Sequence, residues 1–466
     1  MTSSRCLFSL EQECQTTVEA TDGEAQISET LRRFLKIFGD LAPSLPGEGG
    51  LFNAYGRVYV DINHHLEFSA LECDSPYVLA QMVDTQYGLA TKATAELGRR
   101  GGRSAKGGGV KLLLVNNNHN GLLRPETAFW GTHENYLIDG PAQDLADLTL
   151  PFLVTRLYGG AGGVLFPTAE FLAGTRPLAM ELATGGHTTG NRAIYSTCRE
   201  EHHMGPRPKG RRLHLILGDG HRSQFNLALQ FGATALALKA IQSDRELGAQ
   251  LGKVTLRRRG EGWVGTLQRL NKLANPGEPP RVDPSVIEVQ RIYLDAAGRW
   301  VASMSDPQEW MAQILEDWEL TLDAYERADR SWLAPRLDAF TKYELYSAYL
   351  EDRGSSWAEL VDDIEALSTL GLLDHDYHSI SEPVSAFSDL EQRGLLSQRV
   401  GDRIEPGSEE EPYVPAVGTR ARARARFIKE HSGRTDLIMS WDRVFELPPN
   451  ERVRTLFDPF AEAYAG

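Results

Sequence analysis

Two carboxylates two positions apart open the chain's chemistry: Glu11 and Glu13, in Leu10-Glu11-Gln12-Glu13. On a β-strand alternate residues share a face, which sets these side chains roughly 6–7 Å apart on one side. Side-by-side hard oxygen donors suit a Mg²⁺ ion bridging phosphates. Taken alone, the pair also fits an edge strand with one polar face. A denser set follows in Arg57-Val58-Tyr59-Val60-Asp61. Here a strand would bury Val58 and Val60 and turn Arg57, Tyr59 and Asp61 to the other face. Arginine can grip a phosphate with two hydrogen bonds. A positioned aspartate can take a proton from an attacking amine. The run continues through His64, His65, Glu67, Ser69 and Glu72, and His65, Glu67 and Ser69 keep the period of two. Half-buried carboxylates at this density are costly unless paired or bound to cations, which points to a metal site.

Three other stretches carry weaker signals. Gly131-Thr132-His133-Glu134-Asn135-Tyr136 sits at the mouth of an apparent strand and reads by itself as a solvated turn. Its His133, Glu134 and Asn135 could contact metal, nucleotide or each other. His214, alternating with Leu213, Leu215 and Leu217, reads by burial habit as a satisfied core residue. Close upstream, Arg199, Glu200, Glu201, His202 and His203 could bind anions. The alternating arginines of 419–427 read as a solvated helical face, with one or two in reach of a nucleotide or an acidic partner. A GxxxxGK[ST] loop, HExxH and GxSxG are all missing, and no glycine cluster has the strand–turn–helix setting of a Rossmann site.

These residues need a scaffold, and the chain can build one. It has 466 residues, 41% of them apolar and 24% charged. Its net charge of −15 disfavours nucleic-acid binding. The four cysteines, Cys6, Cys14, Cys73 and Cys198, form no CxxC pair and read as reduced thiols of a cytoplasmic protein. Residues 1–20 lack an apolar signal core. The apolar stretch 225–241 is broken by Asn226, Gln230 and Lys239, so it reads as a buried helix and no membrane span is expected.

Strands are expected at 5–14, 57–61, 111–115 and 213–217, and helices at 27–38, 76–97, after Gly218-Asp219-Gly220, and at 310–328. Glycines 159, 160, 162 and 163 suggest a flexible turn. Strands and helices without strict alternation indicate an α+β fold. The acid-, proline- and glycine-rich stretch 402–417 marks a boundary, dividing a catalytic domain of 1–400 from a small C-terminal domain of 401–466.

Taken in order, the motifs resemble the Pup ligase and depupylase family, the proteasome accessory factor A group related to glutamine synthetase. The resemblance rests on Glu11-Gln12-Glu13, Arg57-Val58-Tyr59-Val60-Asp61, His65-Leu66-Glu67-Phe68, Glu72-Cys73-Asp74-Ser75, His133 to Tyr136, Pro151 to Arg156, Arg211 to His214 with Gly218-Asp219, and Trp441. It implies a curved antiparallel sheet packed on helices, cradling ATP and Mg²⁺. It places Glu11, Tyr59 and Glu67 at Mg²⁺ positions, with Glu13, His133 and His214 around the metal–phosphate region. Arg57 and Trp441 fall on nucleotide contacts and Asp61 on the catalytic aspartate. A nucleotide-contacting threonine of the ligases aligns with Ala70.

The implied reaction activates a glutamate side-chain carboxylate of a small Pup-like modifier and joins it to lysines of target proteins. The alternative is a depupylase or deamidase hydrolysing an isopeptide or amide bond on the same scaffold. Asp61 follows Glu11 by 50 positions, a ligase-like spacing, whereas Ser440-Trp441-Asp442 is closer to the hydrolase branch. A third class is a non-catalytic scaffold, against which the intact acidic set argues. The chain departs from the family pattern at Ser9, Leu66, Ala70 and His119, and its stretch from Asn120 to Trp130 is longer.

Overall fold

The computed structural model describes residues 5–20, 27–100, 110–121, 128–188, 190–197, 210–397, 399–403 and 418–465. Its centre is an 11-stranded sheet. The strands are β1 (Phe8–Ala20), β2 (Ser44–Gly47), β3 (Gly50–Asn53), β4 (Gly56–Val60), β5 (Leu66–Ala70), β6 (Val110–Val115), β7 (Thr132–Ile138), β8 (Arg211–Gly218), β9 (Leu437–Met439), β10 (Arg443–Glu446) and β11 (Val453–Thr455). Their order across the sheet is β8-β7-β1-β5-β4-β3-β2-β9-β10-β11, and β6 pairs with the far half of β1. Neighbours run antiparallel except β2 and β9, which meet in parallel at Gly47 and Met439.

The main helices are α1 (Ile27–Asp40), α2 (Pro76–Arg99), α3 (Ala146–Thr155), α4 (Gln224–Ser243), α5 (Pro284–Ala302), α6 (Glu309–Arg327), α7 (Asp338–Asp352), α8 (Ile364–Tyr377) and α9 (Arg420–His431). This is the expected α+β architecture.

Alternation decides which face of the sheet the helices cover. Along β1, Phe8, Leu10, Gln12 and Cys14 are buried and the residues between them are half-exposed. Phe8 meets Phe231 of α4 and Trp310 of α6 at ring distances of 6.2 and 6.1 Å. Phe68 meets Tyr87 of α2 and Phe38 of α1, each at 6.1 Å. Nearly every residue of α4 is buried, as its apolar stretch predicted. At Gly232 an added Cβ would lie 2.7 Å from Ile314, so only glycine admits α6 this closely. Among the described residues, no helix is long and apolar enough to cross a membrane.

Glu134 points to this helix-covered face, away from its neighbours His133 and Asn135. It forms a two-pronged ion pair with Arg156, both contacts 2.7 Å, and accepts from the Tyr136 hydroxyl at 2.6 Å. Arg156 also donates to Thr234 of α4 at 2.6 Å. The motif read as a solvated turn is therefore a buried strand, and half of it ties the sheet to its helices. The glycine-rich turn at 159–163 is likewise rigid, correcting the flexible reading. The Asp219 carboxylate accepts backbone N–H bonds from Ala161, Thr175 and Arg176 at 2.8–2.9 Å, and an added Cβ on Gly160 would sit 2.3 Å from the Ala173 carbonyl.

The C-terminal segment has its own small core of Leu45, Phe52, Phe427, Ile428, Leu437, Met439 and Val444, yet its strands continue the main sheet. Most of the stretch expected as a boundary lies outside the described residues. The arginines of α9 correct a third expectation. Arg420 and Arg424 are buried on the two oxygens of Glu72, each at 2.7 Å, and only Arg426 is exposed. A lone carboxylate at the end of β5 recruits two cations and turns that helix face inward.

Removing the Arg156 guanidinium leaves Glu134 as a buried, uncompensated charge. Arg156→Met should lose about 3–5 kcal/mol of stability. Equilibrium urea unfolding measures this, and a loss below about 1 kcal/mol would show that water or a shifted proton satisfies Glu134.

Candidate active site

The opposite face of the sheet carries the predicted chemistry. In an antiparallel ladder, directly opposed residues point to the same side. Tyr59 opposes Glu67, which opposes Glu13; Arg57 opposes Ser69, which opposes Glu11, which opposes His133; Asn135 opposes His214. Five strands from distant parts of the chain thus deliver one polar surface.

Two clusters emerge. Glu11, His133 and His214 can each offer an atom within 4.8 Å of the others, and so can Glu13, Asp61, His65 and Glu67. His133 links them, with Nδ1 3.6 Å from Glu11 and Nε2 4.0 Å from Glu13. Asp61 sits just past β4, where its carboxylate is 3.6 Å from His65 Nε2 and 36% exposed. His64 lies exposed on the adjoining turn and takes no part. Arg57 lies over the Tyr59 ring, 4.0 Å from its centre, and donates to the Glu48 carbonyl.

A cleft of about 600 Å³, counting its open mouth, runs from Glu11 past Asn135 and Arg212 to Glu72, Arg420 and Trp441. Trp441 packs edge-on against Phe52, 5.2 Å between ring centres, and Arg424 lies over its ring at 5.1 Å. The Glu72 ion pairs therefore position this tryptophan through Arg424. Arg57 also lies over Phe52, at 5.5 Å, so it and Trp441 share one aromatic support.

The electrostatics are those of crowded like charges. Burial, then Glu11 and Glu13, push the Glu67 carboxyl well above the usual range. Burial pushes Glu11 upward too, but Arg212, His133 and His214 outweigh it and hold its carboxyl well below. Glu13 is likewise lowered against burial, by His133, Arg176, His65 and the Gly131 N–H. Burial, with Glu67 and Glu11, raises the Tyr59 hydroxyl. A divalent cation fits this set. Three carboxylates crowd one face, burial and two neighbouring charges raise the proton affinity of one of them, and the buried His133 Nε2 has no hydrogen-bond partner among the described residues.

The Pup-ligase protein family model matches residues 8–445. The chain belongs to the Pup-ligase family. The Pup–protein ligase of Brachybacterium faecium is 32% identical over 87% of this chain and 83% of that protein. That of Corynebacterium jeikeium is 30% identical over 87% and 85%. A crystal structure of the complex between the prokaryotic ubiquitin-like protein Pup and its ligase PafA shares the fold, with a TM-score of 0.73 over 99% of this chain and 90% of that one, at 22% identity. A structure of the Pup ligase PafA in complex with ADP gives a TM-score of 0.69 over 95% and 92%, also at 22% identity.

Within this family member, the structure brings Glu11, Glu13, Tyr59, Glu67, His133 and His214 to one face, with Arg57 and Asp61 at its edge. His214 thus sits on this candidate face beside His133, and not in the helix-covered core. Its ring packs edge-on against His133 at 5.1 Å, and its Nδ1 lies 2.9 Å from Asn135. Ala70 is not brought there. It opposes Gly56 on the helix-covered face and is fully buried in the core, because it is one step out of phase with Ser69. Arg199 lies outside the described residues.

Sequence reasoning missed Arg212, whose Nη2 sits 3.0 Å from Glu11 and whose Nε donates to Asn135 at 2.7 Å. Its signal was available, since Arg212 and His214 keep a period of two. It also missed Arg176, which donates to the Trp130 and Ile216 carbonyls from a short 3-10 turn. That placement has no periodic signature.

The raised Glu67 carboxyl has a consequence for stability. The native state holds its proton over a pH range where the unfolded chain has lost it, so stability falls as pH rises from the ordinary carboxylate range toward the raised one. In chelator-treated protein, Glu67→Gln should remove this loss, so that variant-minus-wild-type Tm grows more positive from pH 4.5 to 7. A difference that stays flat with pH would show that Glu67 titrates normally.

Proposed function

We propose that this chain is an ATP-dependent ligase that activates a glutamate side-chain carboxylate of a small Pup-like modifier and joins it to lysines of target proteins. One observation carries the reading: Glu11, Glu13 and Glu67 converge beside Arg57 and Asp61 on a single sheet face that opens into a cleft ending at Trp441. The named activity of the relatives, and the ADP held by a ligase of the same fold, support it. We place the catalytic body in residues 1–400, the small C-terminal domain in 401–466, and the reaction in the cytoplasm.

In this reading Glu11, Tyr59 and Glu67 would hold Mg²⁺, with Glu13, His133 and His214 around it. Bound there, Mg²⁺ supplies charge neutralisation and orientation for the nucleotide phosphates. The chain's own residues do the rest. Arg57 and Arg212 bring guanidinium groups to the face where phosphate charge develops. Trp441, braced by Phe52 and Arg424, offers an aromatic wall to the nucleotide. The γ-phosphoryl group passes to the modifier's carboxylate, giving an acyl phosphate and ADP. The lysine amine then attacks the acyl carbon, Asp61 takes the amine's proton, and inorganic phosphate leaves as the isopeptide bond forms. Asp61 suits this role because it stands at the rim, partly exposed, where a protein-borne lysine can approach.

Asp61→Asn should lower ligation by about 10²–10⁴-fold while leaving ADP affinity unchanged. The assay combines ATP, Mg²⁺, a modifier ending in glutamate and a lysine-bearing target. ADP production with a mass gain on the target supports ligation, whereas release of free modifier or ammonia without ADP would overturn it.

A further inference from the structure

On the helix-covered side of the sheet, remote from the cleft, lies a second cavity of about 380 Å³, again counting its mouth. Arg222, Gln224 and Phe387 line it, together with the acids Asp84 and Glu391 and the Arg399 that bridges them. Arg222 extends inward over the rings of Phe387 and Tyr87, 5.0 and 5.9 Å from their centres. Its Nε and Nη1 are buried and have no hydrogen-bond partner among the described residues. Gln224, only 8% exposed, lines the same cavity with an unpartnered Nε2, although its Oε1 accepts from the Gly401 N–H at 3.2 Å.

Buried guanidinium donors without an acceptor are unfavourable, and the acids in and beside the lining already have partners. Asp338 accepts from His221, from Tyr377 and from the backbone N–H groups of Arg222 and Ser223. Asp84 is held by Arg399 and Arg403, and Glu391 by Arg399. The cavity also faces the start of α4, a 20-residue helix capped by the Ser223 hydroxyl. The positive end of its dipole favours negative charge there.

We propose that this cavity is a binding site for a small oxyanion, held by an edge of the Arg222 guanidinium and by Gln224 Nε2 at the N-terminus of α4. Two kinds of donor, a guanidinium and an amide, line one volume together with a helix N-terminus. That is the chemistry of a tetrahedral or carboxylate oxyanion. The site is independent of the reaction proposed above. The α4 terminus is itself tied to α7, since Asp338 opens α7 and accepts from the Ser223 N–H.

Thermal unfolding of the full chain tests this, with Mg²⁺ and ADP saturating so that the catalytic face does not respond. At constant ionic strength, phosphate or sulfate should raise the Tm of the wild type by several degrees, in a saturable way, and chloride should not. Acetate in a parallel series separates a carboxylate ligand from a tetrahedral one. The shift should vanish in Arg222→Met and fall in Gln224→Leu. A wild type indifferent to every oxyanion, or a shift that survives in Arg222→Met, overturns the site. Should the variants fail to fold, wild-type crystals soaked in selenate decide it. Anomalous density within hydrogen-bonding distance of Arg222 and Gln224 supports the proposal, and water alone at that position refutes it.

Discussion

Like charge gathered on one face is the constraint around which this molecule is built. Glu11, Glu13 and Glu67 occupy adjacent strands with their carboxylates turned the same way, and Asp61 joins them at the rim. In a half-buried setting they repel, which raises the pKa of Glu67, while histidines and Arg212 hold that of Glu11 down. Such an arrangement persists only where the surrounding fold overrules the repulsion, and a divalent cation relieves it directly.

The fold supplies that restraint from behind. Each site strand places its alternate residues in the helix-covered core, so no carboxylate can turn away without exposing an apolar neighbour. Phe8, Leu10 and Cys14 lock β1; Val58 and Phe68 lock β4 and β5. The Glu134–Arg156 pair pins β7 to α3 and α4 on the face opposite His133. At the far end of the cleft, Glu72 draws in Arg420 and Arg424 and thereby seats the C-terminal segment and Trp441. The carboxylate side and the aromatic side of the cleft are thus fixed by separate ion pairs that meet along one sheet.

Much of this was legible in the sequence because a strand's period is short. Glu11 with Glu13, and Arg57, Tyr59, His65, Glu67 and Ser69, declared their shared face by alternation alone. What alternation could not give was register. His133 reads as a turn residue until β7 is paired with β1, and His214 reads as core until β8 is paired with β7. The opposite sense of Ala70 was implicit in the same period, but similarity to a motif obscured it. Arg176 and Asp219 act from turns, where spacing carries no direction. The arginines of α9 look solvated until Glu72 is placed opposite them.

The raised proton affinity of Glu67 marks the place where a cation belongs. Calorimetric titration of Mg²⁺ into metal-free protein, at neutral pH in two buffers of different ionisation enthalpy, measures proton release directly. The account predicts binding with release of about one proton per cation, lost in Glu67→Gln. Binding without proton release, or release that persists in that variant, would contradict it.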